Sequence, residues 1–383
     1  MSVTAAKDFA AGAVHAGIRK KDKLDLALVH SRVPATGAGM FTVNRVQAAP
    51  VTVSREHLQR AQPQAIVANS GVANAATGAE GIAAARATAE ATAAKLGLEP
   101  EQVLVLSTGV IGQQLPIDSV LAGIDAIELG VDGGDAAAEA ILTTDTHAKE
   151  SVAHGPGFTV GGMAKGSGMI HPNLATMLAV VTTDYPLEPG EAIEFLRPAV
   201  DASFNAISVD GECSTNDTVL LLANGASGCA RDDEAFAAAL RTVCGELAKQ
   251  IVADGEGATV LAEIAVRGAA NDGDARAIAE RVATSPLVKT ALYGHDANWG
   301  RIAAAAGSAK VDGGYAELDP DTLSIVIDGV PVLVHGVPSG DEPELTNGHC
   351  AIELDLALGT GVASYLTTDL SYDYVRINAE YRS

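Results

Sequence analysis

Apolar residues follow two different spacings along the chain, and these spacings predict a mixture of helices and strands. Helical spacing marks residues 232–252, and the Ala-rich stretch 78–96 predicts a surface helix that ends at Gly97. The other predicted helices are 117–129, 136–142, 189–204 (interrupted or kinked at Pro198) and 275–282. The predicted strands are 24–29, 51–53, 66–74 (running into a Gly/Asn turn), 103–106, 158–163, 219–223, 260–266, 323–327, 330–334 and 351–356.

The order of these elements predicts an α/β chain, but not a dinucleotide-binding fold. Strands and helices alternate without a regular βαβ rhythm, and no GxGxxG motif follows a strand. Residues 34–39 are predicted as a loop, and Asp328-Gly329 predicts a hairpin turn between two strands. The turn-forming segment 271–274 divides the chain into a main domain, 1–270, and a smaller C-terminal domain, 271–383.

Composition and charge limit the classes of protein to which the chain can belong. The chain has 383 residues, of which 48% are hydrophobic, and a formal net charge of −23, so we expect a sizeable core and no binding to nucleic acid or anionic membranes. No apolar run reaches membrane-spanning length, and residues 1–16 lack the features of a secretory signal. The four cysteines lack CxxC spacing. These features predict a cytoplasmic protein with reduced thiols and no metal site.

One stretch near the middle of the chain, 165–178, has a residue pattern that indicates catalytic chemistry. It starts as a Gly-rich turn at Lys165 and continues as the apolar run 174–181, which predicts a buried strand or the start of a buried helix. Thr176 interrupts this run directly after Ala175. Such a Thr can attack the preceding carbonyl, and hydrolysis of the resulting ester frees an N-terminal Thr with its own α-amino base. Taken alone, the pattern is more typical of a core threonine bonded to a neighbouring carbonyl.

The whole stretch Lys165-Gly-Ser-Gly-Met-Ile-His-Pro-Asn-Leu-Ala-Thr-Met-Leu178 resembles the cleavage-site signature of the ornithine acetyltransferase family, the glutamate N-acetyltransferases. Further blocks that resemble the family, in family order, are Ser107-Thr-Gly-Val-Ile-Gly112, Thr143-Thr-Asp145, Asp254-Gly-Glu-Gly257, Ser285-Pro-Leu-Val-Lys-Thr290, Asn298-Trp-Gly-Arg301 and Asn378-Ala-Glu-Tyr381. The resemblance implies a layered α/β sandwich of sheets between helices, similar to N-terminal-nucleophile proteins, and self-cleavage between Ala175 and Thr176.

The resemblance also implies an oxyanion site at Thr108 and Gly109. These residues follow a predicted buried strand, where a hydroxyl and a backbone N–H can point into a cleft. An ordinary strand-to-turn connection is the structural alternative for an isolated Ser-Thr-Gly sequence.

The implied substrate ligands are Thr143, Lys165, Thr176, Glu256, Asn378 and Ser383. Lys165 would bind a carboxylate and Glu256 an ammonium group, although turn residues of these types are usually only solvated. Thr143 alone would more often cap a helix. A ligand at Ser383 would require the C-terminal tail to fold back, because chain termini are normally frayed.

The activity implied by the resemblance is acetyl transfer from N2-acetyl-L-ornithine to L-glutamate through acetyl-Thr176, a recycling step of arginine biosynthesis. No cofactor is implied, although some relatives also accept acetyl-CoA, and the cleaved chains would assemble as α2β2. Three alternatives stay open: a self-processed amidase or aminopeptidase that transfers the acyl group to water, a relative that serves an antibiotic pathway, and a non-catalytic binding protein. A pairing of Ser167 with His171 or His295 would be a different nucleophile, but an α-amino base makes a histidine unnecessary.

Overall fold

The computed structural model describes residues 2–19, 22–171, 177–346 and 348–380. The β-strands in these ranges are β1 (Phe9–Val14), β2 (Leu26–Ser31), β3 (Thr36–Phe41), β4 (Ala65–Val72), β5 (Val103–Val110), β6 (Lys149–Gly155), β7 (Phe158–Lys165), β8 (Leu178–Thr183), β9 (Ile207–Ser208), β10 (Thr218–Ala223), β11 (Val260–Ala269), β12 (Lys310–Val311), β13 (Gly314–Tyr315), β14 (Ser324–Ile327), β15 (Val330–Val334), β16 (Val337–Pro338), β17 (Gly348–Asp355) and β18 (Gly361–Thr368). The α-helices are α1 (Ala49–Arg60), α2 (Gly78–Leu96), α3 (Ile117–Ala126), α4 (Gly134–Ala140), α5 (Ala192–Asp201), α6 (Asp233–Ala253), α7 (Asp272–Ala283), α8 (Pro286–Tyr293), α9 (Trp299–Ala306) and α10 (Tyr372–Glu380).

These elements form two compact units. Unit 1 includes Met1–Asn205 and Glu212–Ile251, and unit 2 includes Ala206–Gly211 and Val252–Tyr381. The predicted boundary at 271–274 differs from this division. The reason is that β11 pairs with β17 and β18, so its contacts belong to unit 2 although it precedes the predicted boundary.

Unit 1 contains two sheets that share one apolar core. Their strand orders are β1-β2-β4-β5 and β3-β10-β8-β7-β6. The shared core includes Val29 and Leu104 from the first sheet and Val180 and Leu220 from the second. Burial of each such side chain stabilises the fold by about 1.5–3 kcal/mol.

Helices cover the outer faces of these sheets. Along β2, Val29 faces the shared core while Leu26 and Leu28 join a second apolar cluster with α2 and α3, as the two-residue period of a strand requires. On the other sheet, Gly162 of β7 lies directly under Val243 and Leu247 of α6. The result is the layered α/β arrangement of sheets between helices that the family resemblance implied.

Unit 2 is built on a seven-stranded sheet with the order β16-β15-β14-β17-β11-β18-β9. Its core joins Ile264 of β11 to Ile278 of α7, Val288 of α8 and Ile302 of α9. The sheet is mixed, because β11 runs parallel to β17 and antiparallel to β18. This explains why the sequence shows no regular βαβ rhythm.

Several predicted elements are confirmed. Helix α2 has the predicted bounds and is followed by Gly97, and α6 matches the predicted helix to within one residue at each end. The hairpin of β14 and β15 turns at Asp328-Gly329. Residues 178–181 of the predicted apolar run 174–181 belong to strand β8 and not to a helix. Helix α5 is shorter than predicted and contains Pro198.

Two predictions were wrong. Residues 51–53 belong to α1, where Pro50 occupies the first turn, a position that a helix tolerates. The predicted loop 34–39 overlaps β3, whose residues pair with β10 despite two glycines. The sequence patterns also missed β1, β6 and helices α8, α9 and α10. No helix in the described ranges is long and apolar enough to cross a membrane.

Candidate active site

The end of β5 carries the two residues predicted to hold an oxyanion. Thr108 is buried, and Gly109 has a φ of +131°. A Cβ added to Gly109 would lie 2.3 Å from the carbonyl carbon of Gly71 on β4, so only glycine fits here. The pairing of β4 with β5 shifts register between Gly71 and Val72. Irregular pairing of this kind changes the direction of the backbone at a strand end.

A buried network of amide and hydroxyl groups holds this strand end. Ser107 Oγ donates to Asn69 Oδ1 at 2.6 Å, and Asn69 Nδ2 donates to the carbonyl of Val72 at 2.9 Å. Asn216 Nδ2 donates to the carbonyls of Ser107 (2.8 Å) and Ala73 (2.6 Å). The backbone next to Thr108 is therefore fixed by side chains from β4 and from the segment before β10.

A second buried cluster surrounds the carboxylate of Asp145. Lys149 Nζ lies 2.8 Å from Asp145 Oδ1, and Lys165 Nζ lies 3.8 Å from Asp145 Oδ2. The N–H of Gly166 donates to Oδ1 at 2.6 Å, and the N–H of Thr143 donates to Oδ2 at 2.9 Å. The structure thus brings two predicted ligands, Thr143 and Lys165, to one carboxylate.

The charge state of Asp145 follows from its neighbours. Burial by itself would raise the pKa of this carboxyl, but the positive charges of Lys165 and Lys149 and the N–H of Thr143 outweigh burial and hold the pKa well below 3.8. The carboxylate is therefore ionised at neutral pH.

We expect Asp145→Asn to lower the free energy of unfolding by about 3–5 kcal/mol, because it removes the buried carboxylate that Lys149 and Lys165 both contact. Urea unfolding at pH 7 measures this loss. A matched control is Glu56→Gln, which removes a partly exposed partner of Arg86 and should cost less than about 1 kcal/mol.

The same substitution should change the acid limb of the stability curve. A carboxyl whose folded pKa is depressed contributes stability that is present above pH 3.8 and is lost as the pH falls through the folded value. Asp145→Asn should therefore flatten the fall in unfolding free energy below pH 3.8. Equal acid dependence in both proteins would contradict this assignment.

A third buried group, the carboxyl of Asp217, contacts the residue that follows Thr176 in the sequence. Asp217 is fully buried, and its Oδ1 accepts the N–H of Met177 at 2.9 Å. Burial raises the pKa of Asp217 well above 3.8, and this effect outweighs the Met177 N–H and the positive charge of Lys165. Burial therefore favours the protonated form of the Asp217 carboxyl.

In unit 2, the predicted ligands Glu256 and Asn378 are in direct contact. Asn378 Nδ2 on α10 donates to Glu256 Oε2 at 2.8 Å. The following Gly257 has a φ of +68°, and a Cβ there would lie 2.4 Å from the backbone nitrogen of Tyr374. Ser371 Oγ donates to the carbonyl of Gly257 at 2.6 Å. The glycine loop thus presents Glu256 to α10.

Some of the remaining predicted residues lie outside the described part of the chain, and others lie within it. Ala175, Thr176 and Ser383 lie outside the described residues. Ser167, the alternative nucleophile, is buried and its hydroxyl lies 2.7 Å from that of Thr144. His295 belongs to unit 2 and is exposed. No group of His, Cys, Asp and Glu side chains in the described part of the chain is arranged to hold a metal ion.

Sequence reasoning missed Asn216 and Asp217 and did not single out Asp145 within its block. A signal was available for the first two, because the polar run Ser214-Thr-Asn-Asp217 leads directly into the apolar strand β10. Polar groups next to a buried strand need partners, and here the partners are distant backbone groups.

The fold and the site define a layered α/β enzyme with buried polar groups around one strand end and one lysine–carboxylate cluster in unit 1. The ArgJ family model matches residues 10–383. The arginine biosynthesis bifunctional protein ArgJ of Dehalococcoides mccartyi is 47% identical over 398 aligned residues, which cover 99% of this chain and 97% of the relative. The protein of the same name from Mycolicibacterium paratuberculosis is also 47% identical, over 100% of this chain and 96% of the relative.

A solved structure is also similar. The ornithine acetyltransferase of Mycobacterium tuberculosis, complexed with ornithine, is 46% identical over 45% of this chain and 96% of its own, with a TM-score of 0.44. The family match and the two relatives decide the identification. The chain belongs to the ArgJ family.

Proposed function

We propose that this enzyme transfers the acetyl group of N2-acetyl-L-ornithine to L-glutamate, as a step of arginine biosynthesis, through an acetyl ester on Thr176. Membership of the ArgJ family, whose relatives are named as bifunctional proteins of arginine biosynthesis, supports this assignment. The ester requires prior cleavage of the chain between Ala175 and Thr176, because only a free α-amino group can serve Thr176 as its own base.

The observation that carries the proposal is a link between two parts of unit 1. Asn216 bonds the carbonyl of Ser107, which precedes Thr108, and the adjacent Asp217 bonds the N–H of Met177, which follows Thr176. Asn216 and Asp217 are adjacent, and consecutive Cα atoms are about 3.8 Å apart. One short segment therefore bonds the backbone next to Thr108 and the backbone next to Thr176. A nucleophile and its oxyanion donors need this proximity.

The proposed chemistry has two similar halves. The α-amine of Thr176 takes the proton of its own hydroxyl, Oγ attacks the acetyl carbonyl, and ornithine leaves with that proton. The amino group of glutamate then attacks the ester and restores the Thr176 hydroxyl. Thr108 and Gly109 would stabilise the oxyanion in both halves, and each such donor is worth about 3–4 kcal/mol.

Charged groups would select the substrate. Lys165 and Thr143 lie together at the Asp145 carboxylate, and this placement supports both as ligands of a substrate carboxylate. Glu256, held by Asn378, suits a substrate ammonium group. Ser383 is proposed as a further substrate ligand.

Initial-rate kinetics test the proposal. Acetylornithine and glutamate should give acetylglutamate and ornithine in equal amounts, with parallel double-reciprocal lines, because one acyl-enzyme serves both halves. Acetate formation without glutamate dependence would instead favour the amidase alternative. Acetyl-CoA as the donor, assayed in parallel, tests the second activity, and the scheme needs no cofactor.

The proposed assembly is α2β2, with two copies of each cleaved chain. The mass of the native particle measured in solution, together with the masses of the denatured chains, tests it. A native mass equal to that of one cleaved chain pair would contradict this assembly.

We expect Glu256→Gln to raise the KM for acetylornithine about 10-fold, because a hydrogen bond to a charged group is worth about 1.5–3 kcal/mol. The Gln side chain keeps an oxygen for the Asn378 bond, so the loop should stay in place. Steady-state rates with varied acetylornithine measure the change. The control is Glu263→Gln on the exposed face of β11, which should leave KM unchanged; equal KM values in both variants would remove Glu256 from the site.

A further inference from the structure

The segment Ser214–Asp217, which we call the polar connector, is buried although all four of its residues are polar. Its backbone is fixed at two points. Thr42 Oγ1 donates to the carbonyl of Ser214 at 2.7 Å, and the N–H of Ala48 donates to the carbonyl of Thr215 at 2.9 Å. These bonds leave the side chains of Asn216 and Asp217 directed at other parts of unit 1.

Asn216 holds the polar connector to the first sheet. Its Nδ2 donates to the carbonyls of Ala73, which follows β4, and Ser107 in β5. Its Oδ1 accepts from Thr215 Oγ1 at 2.6 Å, which orients the amide. The Ser107 carbonyl and the Thr108 nitrogen belong to one planar peptide group, so Asn216 holds the backbone directly before Thr108 and its hydroxyl.

Asp217 holds the polar connector to the second sheet. Its Oδ1 accepts the N–H of Met177, and the N–H of the next residue, Thr218, donates to the carbonyl of Met177 at 3.1 Å. Met177 is therefore bonded at both its N–H and its carbonyl. The Met177 nitrogen shares a planar peptide group with the carbonyl of Thr176.

We propose that Asn216 and Asp217 are positioning residues, which together fix the peptide before Thr108 relative to Met177, the residue that follows the nucleophile Thr176 in the sequence. The inference rests on the proposed function. Neither side chain touches the reacting atoms in this account; each acts through a rigid peptide group. A misplacement of about 1 Å between nucleophile and oxyanion donors can cost about 100-fold in rate.

The carboxyl of Asp217 has a second feature that sharpens the test. The side chain is fully buried, and Ser214 lies beside its carboxyl group. Burial favours the protonated form, which is nearly isosteric with an asparagine amide. If Asp217 acts as a neutral acceptor for the Met177 N–H, then asparagine should replace it and alanine should not.

The experiment compares Asn216→Ala, Asp217→Ala and Asp217→Asn with the control Thr182→Val. Thr182 lies on β8, the strand that pairs with β10, and its buried hydroxyl donates to the carbonyl of Val3 at 2.8 Å and not to the polar connector. The readouts are the rate of self-cleavage, kcat and KM per cleaved enzyme, and the midpoint of urea unfolding. Intact-mass spectrometry gives the cleaved fraction.

We expect both alanine variants to lower kcat about 30-fold with KM changed less than about 3-fold, and to slow self-cleavage, because geometry is lost while substrate ligands remain. Asp217→Asn should recover kcat to within about 3-fold of the wild type. Thr182→Val should lower the unfolding midpoint similarly to the alanine variants but leave kcat unchanged. Alanine variants with the kcat of the control would overturn the proposal.

A double mutant separates positioning from general destabilisation. If Asn216 aligns Thr108, then Thr108→Val should cost less kcat in the Asn216→Ala background than alone. Multiplicative effects would overturn the proposal for Asn216. A wild-type protein that cleaves itself but transfers no acetyl group would contradict the proposed function. Even then, slower self-cleavage in both alanine variants would support the positioning role of Asn216 and Asp217. Self-cleavage at the wild-type rate in both variants would refute that role.

Discussion

Thr176→Ala is expected to give a single uncleaved chain and to lower acetyl transfer by at least about 10⁴-fold. The substitution removes the hydroxyl that forms the ester in self-cleavage and in both halves of the transfer, and loss of a covalent nucleophile costs rates of this order. Intact-mass spectrometry of the purified variant measures cleavage, and the formation of acetylglutamate measures transfer.

Two further variants define the control. Thr176→Ser keeps a hydroxyl and should still cleave, with reduced transfer. Ser167→Ala removes the alternative nucleophile, whose hydroxyl is already paired with that of Thr144, and should cleave normally. Cleavage of Thr176→Ala, or failure of Ser167→Ala to cleave, would assign the nucleophile to another residue.

Thr108→Val is expected to lower kcat by about 10²–10³-fold, the usual effect of removing one oxyanion donor. Valine has nearly the same shape as threonine and is easily accommodated in a strand, so the fold should tolerate it. Steady-state kinetics should show a much smaller change in KM. A loss in KM alone would mean that Thr108 binds substrate rather than the oxyanion.

Gly109→Ala should lower both kcat and stability, because its Cβ would lie 2.3 Å from the Gly71 carbonyl carbon at a φ of +131°. Gly112→Ala is the matched control. Gly112 also has a positive φ, +79°, but no atom lies within 4 Å of an added Cβ, so this variant carries the backbone strain without the clash. An equal loss of kcat in both glycine variants would contradict a specific role of Gly109 at the oxyanion site.

Local patterns predicted those elements whose signals are local. Helix α2 has many Ala residues and a terminal glycine, and the hairpin of β14 and β15 has the Asp-Gly turn that its geometry requires. The error at 51–53 has a physical reason. Three residues with two valines satisfy a strand pattern, but the surrounding stretch packs as one helix face.

The long-range polar contacts could not be predicted in this way. Asn216 and Ser107 are 109 positions apart, and Asp217 and Met177 are 40 apart, so no window of sequence contains both partners. The resemblance to a known family named Thr108, Gly109 and Lys165. It did not name Asn216, Asp217 or the Asp145 carboxylate, because their roles depend on which backbone groups the fold places beside them.

The central claim is that Thr176 carries the acetyl group, and one measurement tests it most directly. The cleaved enzyme is mixed with acetylornithine alone, quenched in acid, and its two chains are weighed by mass spectrometry. We predict one added acetyl group on the chain that begins at Thr176, and its loss when glutamate is added before the quench. Full transfer activity without any acetyl adduct on that chain would contradict the covalent mechanism.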